Sequence, residues 1–148
     1  MTEVRPARED ELDAVLAMYE WLFEPPAQRP AAWEPDRATR ALREAIASDR
    51  SAVLVAEREG RLVGLCAAYL DLESVRFGRR CWIEDLAVHP EHRSRGVGAS
   101  LLSAAMEWAR GCGATHLELD TAEARTDAQR FYEREGADHH SISYTWVL

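Results

Sequence analysis

The chain alternates between stretches of helical and strand-like periodicity, and the breaks between them delimit its elements. Val4 to Pro6 reads as a short first strand, and Arg8-Glu9-Asp10-Glu11 as an acidic helix opening. Leu12, Val15, Leu16, Tyr19 and Leu22 or Phe23 then recur at helical spacing. Glu24 to Pro35 contains Pro25, Pro26, Pro30 and Pro35, which excludes a regular helix and predicts a long loop of the kind that borders binding sites. A second helix is expected from about Asp36 to Ser48, with Ala38, Leu42 and Ile46 on its apolar side.

Two β-type runs follow, Ala52 to Ala56 and Leu62 to Leu70, around Glu59-Gly60, and predict an antiparallel hairpin. Arg79 to Val88 supplies a further strand. Gly98 to Cys112 is an amphipathic helix burying Leu101, Leu102, Ala105, Met106 and Ala109. His116 to Asp120 alternates as a strand, Thr126 to Glu135 is helical, and Ser141 to Leu148 is expected to close the fold as a last strand. The order β-α-α-β-β-β-α-β-α-β implies one α/β (α+β) domain over residues 1–148, a mixed sheet covered by helices. No repeat, low-complexity tract or linker interrupts it.

Composition narrows the possible partners. The formal net charge of -8 argues against a nucleic-acid binder with a basic surface and is compatible with a cationic small substrate. Met1 to Leu12 is charged throughout, with no apolar signal-peptide core, and no apolar run is long enough to cross a bilayer. A cytoplasmic protein is the expectation. All 18 basic residues are arginine, and neither lysine nor asparagine occurs, which suggests a GC-rich, bacterial source. Without lysine no P-loop can form. Cys66, Cys81 and Cys112 lack metal-ligand spacing and read as reduced residues in or near the core. His89 and His92 have no third ligand at a recognisable spacing; they read as solvated loop histidines, and no metal is expected.

The chemistry concentrates where the strand ending at Val88 is broken by Pro90 and a helix begins near Gly96 to Gly98. Free N–H groups and the helix dipole make such a start an anion site. Gly96 and Gly98 let phosphates approach the backbone, and Arg93 and Arg95 add cationic donors. A dinucleotide-binding turn would need a third glycine where Leu101 stands.

The pattern Val88-x-Pro90-x-x-Arg93-x-x-Gly96-Val97-Gly98 resembles the acetyl-CoA motif of the GNAT (Gcn5-related N-acetyltransferase) superfamily. The likeness continues through Leu117 to Asp120 and into Ala128-Gln129-Arg130-Phe131-Tyr132-Glu133-Arg134-Glu135-Gly136, which is similar to the family's A-x-x-F-Y-x-x-x-G signature. It is clear over about Trp82 to Ala137; earlier residues match only in their order of elements. The resemblance implies a GNAT-like acyl-CoA N-acyltransferase fold of about six strands and four helices. It also implies acetyl-CoA as co-substrate, held at the pyrophosphate by Arg93, Ser94, Arg95, Gly96, Val97, Gly98 and Ala99. Leu86, Ala87 and Val88 would bond the pantetheine arm through their backbones.

By the same resemblance Tyr132 is the expected acid for the departing thiolate. Arg130 and Arg134 could reach the outer phosphate of the co-substrate or lie in solvent. Trp82 occupies the position where many relatives carry a glutamate base. Glu84, two residues on and on the same strand face, is the first candidate, with Asp85, Asp120 and Glu24 behind it. Asp85 points the other way unless a bulge intervenes. Arg125 stands where relatives often have a pantetheine-binding asparagine; it contacts the co-substrate or caps the helix. The expected reaction is N-acetylation of a primary amine of a small molecule (an aminoglycoside, polyamine or amino sugar), with the loop from Glu24 to Pro35 and nearby Trp21, Phe23 and Trp33 shaping the acceptor pocket. Two other readings stay open: a protein N-terminal acetyltransferase, and a non-catalytic acetyl-CoA-binding sensor or regulatory module. A homodimer paired through the last strand is also compatible with the pattern.

Overall fold

The computed structural model describes residues 1–148. They form two compact units, residues 1–118 and 119–148. The larger is built on a five-stranded sheet in the order β1-β2-β3-β4-β5, where β1 is Thr2–Pro6, β2 Ser51–Arg58, β3 Arg61–Ser74, β4 Gly78–Val88 and β5 His116–Glu118. Every neighbouring pair is antiparallel except β4 with β5. The helices are α1 (Leu12–Met18), α2 (Pro35–Ala47) and α3 (Val97–Gly111), with α4 (Thr126–Arg134) in the smaller unit. No helix is long and apolar enough to cross a membrane.

On one face of the sheet, Leu12, Val15 and Met18 of α1 and Leu42 and Ala45 of α2 pack with Val53, Val55, Leu65 and Ala87. On the other, α3 buries Val97, Leu101, Leu102, Ala105 and Ala109. Gly64 sets how closely α3 approaches. A Cβ there would meet Leu101 Cδ1 at 2.8 Å, Val97 Cγ1 at 3.1 Å and the Ala87 carbonyl oxygen at 3.2 Å. Because Gly64 pairs with Val88, this close fit lies at the end of β4, where the chain turns into α3.

Helix α1 continues as a 3-10 helix, Tyr19–Phe23, and the expected loop occupies residues 24–34. Glu34 ends that loop by accepting bonds from the Asp36 and Arg37 N–H groups, both at 2.9 Å, which cap α2. Cys66 and Cys81 are buried and Cys112 half-buried, all as free thiols. Burial pushes the Cys66 thiol up to about 12.

The last expected strand does not form. Residues 137–148 carry no helix or strand apart from a bend at Asp138, and Ile142, Tyr144, Trp146 and Leu148 are largely exposed. Their alternation is a β pattern, but strand preference reflects packing against neighbours, and this segment has no ladder partner. The strand expected over His116–Asp120 stops at Glu118 for the same reason, since its pairing with β4 ends at Trp82↔Glu118.

Candidate active site

A displacement in register organises the site. Ala68 of β3 faces Ile83 of β4, whereas the next residue back, Ala67, faces Asp85. Glu84 is therefore the extra residue of a β-bulge. Before the bulge, Trp82 and Glu84 share a face by period two, and the Trp82 indole N–H donates to Glu84 Oε2 at 2.6 Å. After it, the phase is inverted. Asp85 and Ala87 now point to the α1/α2 side, so two adjacent carboxylates serve one face.

The two acids differ in environment. Glu84 is exposed. Asp85 is mostly buried and accepts a hydrogen bond from the Tyr19 hydroxyl at 2.7 Å. Burial raises the Asp85 carboxyl to about 6; the Tyr19 bond opposes this and the nearby Glu84 charge adds to it. Burial and the Asp85 charge likewise push the Tyr19 phenol far above its ordinary value, so it remains a donor. Both carboxylates open on a cavity of about 220 Å³ walled by Tyr19, Trp33 and Tyr69, with Leu16, Ala38, Ala41 and Leu42 behind.

The loop residues divide between two places. Trp33 lines this cavity, tilted 6.2 Å from Tyr19 and edge-on at 5.0 Å to Phe23, which props it from behind. Trp21 instead lines a second hollow with His89, Arg61, Leu62 and Met18, its ring 5.1 Å from His89.

The turn after β4 has the features of an anion site. His89 Nδ1 accepts the Glu91 N–H at 3.1 Å, and Pro90–His92 makes a single 3-10 turn. The chain reverses through two left-handed residues, Ser94 (φ 61°) and Gly96 (φ 84°). Gly96 serves that conformation alone, since a Cβ there would meet nothing within 4 Å. The first bond of α3 runs from the Ser100 N–H to the Gly96 carbonyl, leaving the Val97, Gly98 and Ala99 N–H groups at the open helix start. Arg93 turns back: its Nε donates to the Val88 carbonyl at 3.1 Å and Nη1 lies 3.4 Å from Glu24. Arg95 is exposed.

His92 is half-buried rather than solvated, as is His89. Its Nδ1 and the Arg58 Nη1 are buried without a hydrogen-bond partner. Partial burial, then the charges of His89, Arg95, Arg58 and Arg61, hold His92 below its ordinary range. This concentration of positive charge and unspent polar groups fits an anionic guest. No group of three or more His, Cys, Asp or Glu side chains is arranged to hold a metal ion.

Pairing of β4 with β5 covers only Arg80, Cys81 and Trp82, so strand pairing on that edge stops before Leu86, Ala87 and Val88. In the smaller unit, Tyr132 and Phe131 are half-buried on α4, their rings 5.2 Å apart. Arg125 is the N-cap residue of α4, but its side chain makes no capping bond. The bulge is what sequence reasoning could foresee only as a condition, because no residue in Trp82 to Asp85 marks it. Nor does any sequence signal pair Tyr19 with a residue 66 positions away.

A family model described as the acetyltransferase (GNAT) family matches residues 15–137, well beyond the stretch where motifs are visible by eye. An uncharacterized N-acetyltransferase of Bacillus subtilis (strain 168), YhfO, is 35% identical over 95 residues, covering 64% of each chain. The aminoalkylphosphonate N-acetyltransferase of Salmonella typhimurium is 35% identical over 94 residues, 64% of this chain and 61% of that one. The chain thus spans a little under two thirds of the length of these relatives. In fold it is similar to AAC(6')-Iy, solved with the bisubstrate analog CoA-S-monomethyl-acetylneamine: TM-score 0.81, 20% identity, covering 100% of this chain and 99% of that one.

Proposed function

The chain belongs to the GNAT acetyltransferase family, and on that premise we propose that it moves the acetyl group of acetyl-CoA onto a primary amine of a small molecule. The observation that carries this reading is the bulge at Glu84. It sets a half-buried carboxylate beside a partly open cavity, three residues upstream of a strand end that leads into a helix start suited to an anion.

In this reading the pyrophosphate of acetyl-CoA meets the turn from Arg93 to Ala99, with Ser94, Arg95, Gly96, Val97 and Gly98 supplying N–H groups and charge. The pantetheine arm runs along the backbone of Leu86, Ala87 and Val88 as an added strand. By the family resemblance alone, Arg125 is assigned to the same co-substrate. The amine arrives as an ammonium and gives one proton to the Glu84–Asp85 pair. Asp85 suits the base role better than Glu84, because a base held at about 6 works close to neutral pH; exposed Glu84 draws the cation in. The neutral nitrogen attacks the thioester carbonyl, the C–N bond forms and the C–S bond breaks. By the family resemblance Tyr132 is assigned as the acid that protonates the thiolate, and the second proton on nitrogen then restores the phenol.

Thiol release from acetyl-CoA with a panel of amines tests the reading. Asp85→Asn should slow transfer by about 10²- to 10⁴-fold, the usual worth of a positioned base, and Tyr132→Phe should also lower kcat. Glu84→Gln should chiefly raise KM for the amine. If acetyl-CoA binds yet no amine releases thiol, a binding module is the better description.

A further inference from the structure

The walls of the cavity at Asp85 say what kind of amine it accepts. Apart from the two carboxylates and the tyrosine hydroxyls, its lining is hydrocarbon and aromatic: Leu16, Leu42, Ala38 and Trp33 among others. The Tyr19 hydroxyl is already engaged by Asp85, which leaves Tyr69 as the other phenol on the wall. No arginine or histidine lines the space.

We propose that the acceptor is a primary amine on a compact apolar body, an arylalkylamine or short branched alkylamine, with its ammonium at Asp85 and Glu84 and its hydrocarbon against Trp33, Tyr19 and Tyr69. This rests on the acetyltransferase reading above and narrows it. The charge pattern suits such a cation: the acids neutralise it, and aromatic faces attract the N–H-bearing end. Size agrees as well. A cavity of about 150 Å³ holds a benzene ring, so about 220 Å³ admits a ring with a short amine-bearing arm.

The same walls disfavour the two polar alternatives. A sugar amine would lose water from several hydroxyls against Leu16, Ala38 and Leu42, where nothing replaces those bonds. A phosphonate would bring negative charge beside two carboxylates with no cationic side chain to offset it. The acceptor class therefore differs from that in the name of the aminoalkylphosphonate-acetylating relative.

The test compares thiol release from acetyl-CoA with phenylethylamine, glucosamine and 2-aminoethylphosphonate, with acetyl-CoA binding measured separately by calorimetry. We expect kcat/KM for phenylethylamine to exceed the other two by at least about 100-fold, the scale on which unpaired polar groups are discriminated. Ala38→Phe, which fills the cavity, should raise KM for phenylethylamine at least about tenfold and leave KM for acetyl-CoA unchanged. Should that variant fail to fold, Trp33→Ala removes one aromatic wall and should erase the preference. Faster turnover of glucosamine or 2-aminoethylphosphonate would overturn the acceptor class while leaving acetyl transfer standing. No thiol release with phenylethylamine would overturn the acceptor class, and no release with any amine of the wider panel, despite tight acetyl-CoA binding, would overturn both.

Discussion

Replacing Asp85 by asparagine should make the protein more stable at neutral pH while slowing its reaction. The Asp85 carboxyl titrates at about 6 in the folded chain against 3.8 in an unperturbed one. Between those values the native state holds a proton that the unfolded state has lost, so folding stability falls as pH rises through this window. It is highest below 3.8, declines up to about 6 and is level above. A displacement of this size is worth about 3 kcal/mol, of which about 2 kcal/mol accrues between pH 4.5 and 7.5.

Asparagine keeps an acceptor for the Tyr19 hydroxyl but carries no charge to bury. The stability of Asp85→Asn relative to the native chain should therefore grow by about 2 kcal/mol from pH 4.5 to 7.5, which corresponds to about 4–8 °C in Tm for a domain of this size. Urea unfolding of both proteins at the two pH values measures the gap, and other titrating groups cancel in the difference. A gap that stays constant within about 0.5 kcal/mol across the interval would refute the claim that burial displaces Asp85.

Three further outcomes are expected. Tyr19→Phe removes the bond that restrains the Asp85 carboxyl, so the acidic limb of the pH–rate profile should move to higher pH. Gly64→Ala places a Cβ 2.8 Å from Leu101 Cδ1, and overpacking of this kind should cost about 1–3 kcal/mol in urea unfolding; acetyl-CoA affinity should fall too, because Val97 at the start of α3 is displaced. Glu11 is held at about 2, chiefly by its hydrogen bond to Arg5, which donates to it through both Nη groups at 2.8 Å. Its contribution is present above its ordinary value of 4.5 and lost as pH falls toward 2, so Glu11→Gln should destabilise the protein at pH 7 and matter little at pH 2, by thermal unfolding.

Local chemistry made much of this protein legible from its residues alone. Periodicity placed α2, α3 and α4 within about one residue at their ends, because helical spacing and proline or glycine breaks are properties of short stretches; the first helix, read from Arg8 to Leu22 or Phe23, is α-helical only over Leu12–Met18, with 3-10 turns on either side. The Val88–Gly98 turn was readable for the same reason: the left-handed bend at Gly96 and the free N–H groups of a helix start need no distant partner. The acetyltransferase family follows from that turn together with Phe131-Tyr132.

The β2–β3 hairpin was readable from its turn, but the other relations between strands were not. The last segment carries a strand's alternation yet forms none, since a strand exists only through its neighbour. The Glu84 bulge depends on how β3 and β4 come into register, and it alone turns Asp85 to the α1/α2 side. Period two applied to the sequence favours Glu84, which stays exposed. Asp85 becomes distinct only when Tyr19, from an element 66 residues away, closes over it and removes its water. The residues that bind a phosphate are decided by a few consecutive bonds, whereas the acidity of a carboxyl is decided by whatever the fold packs against it.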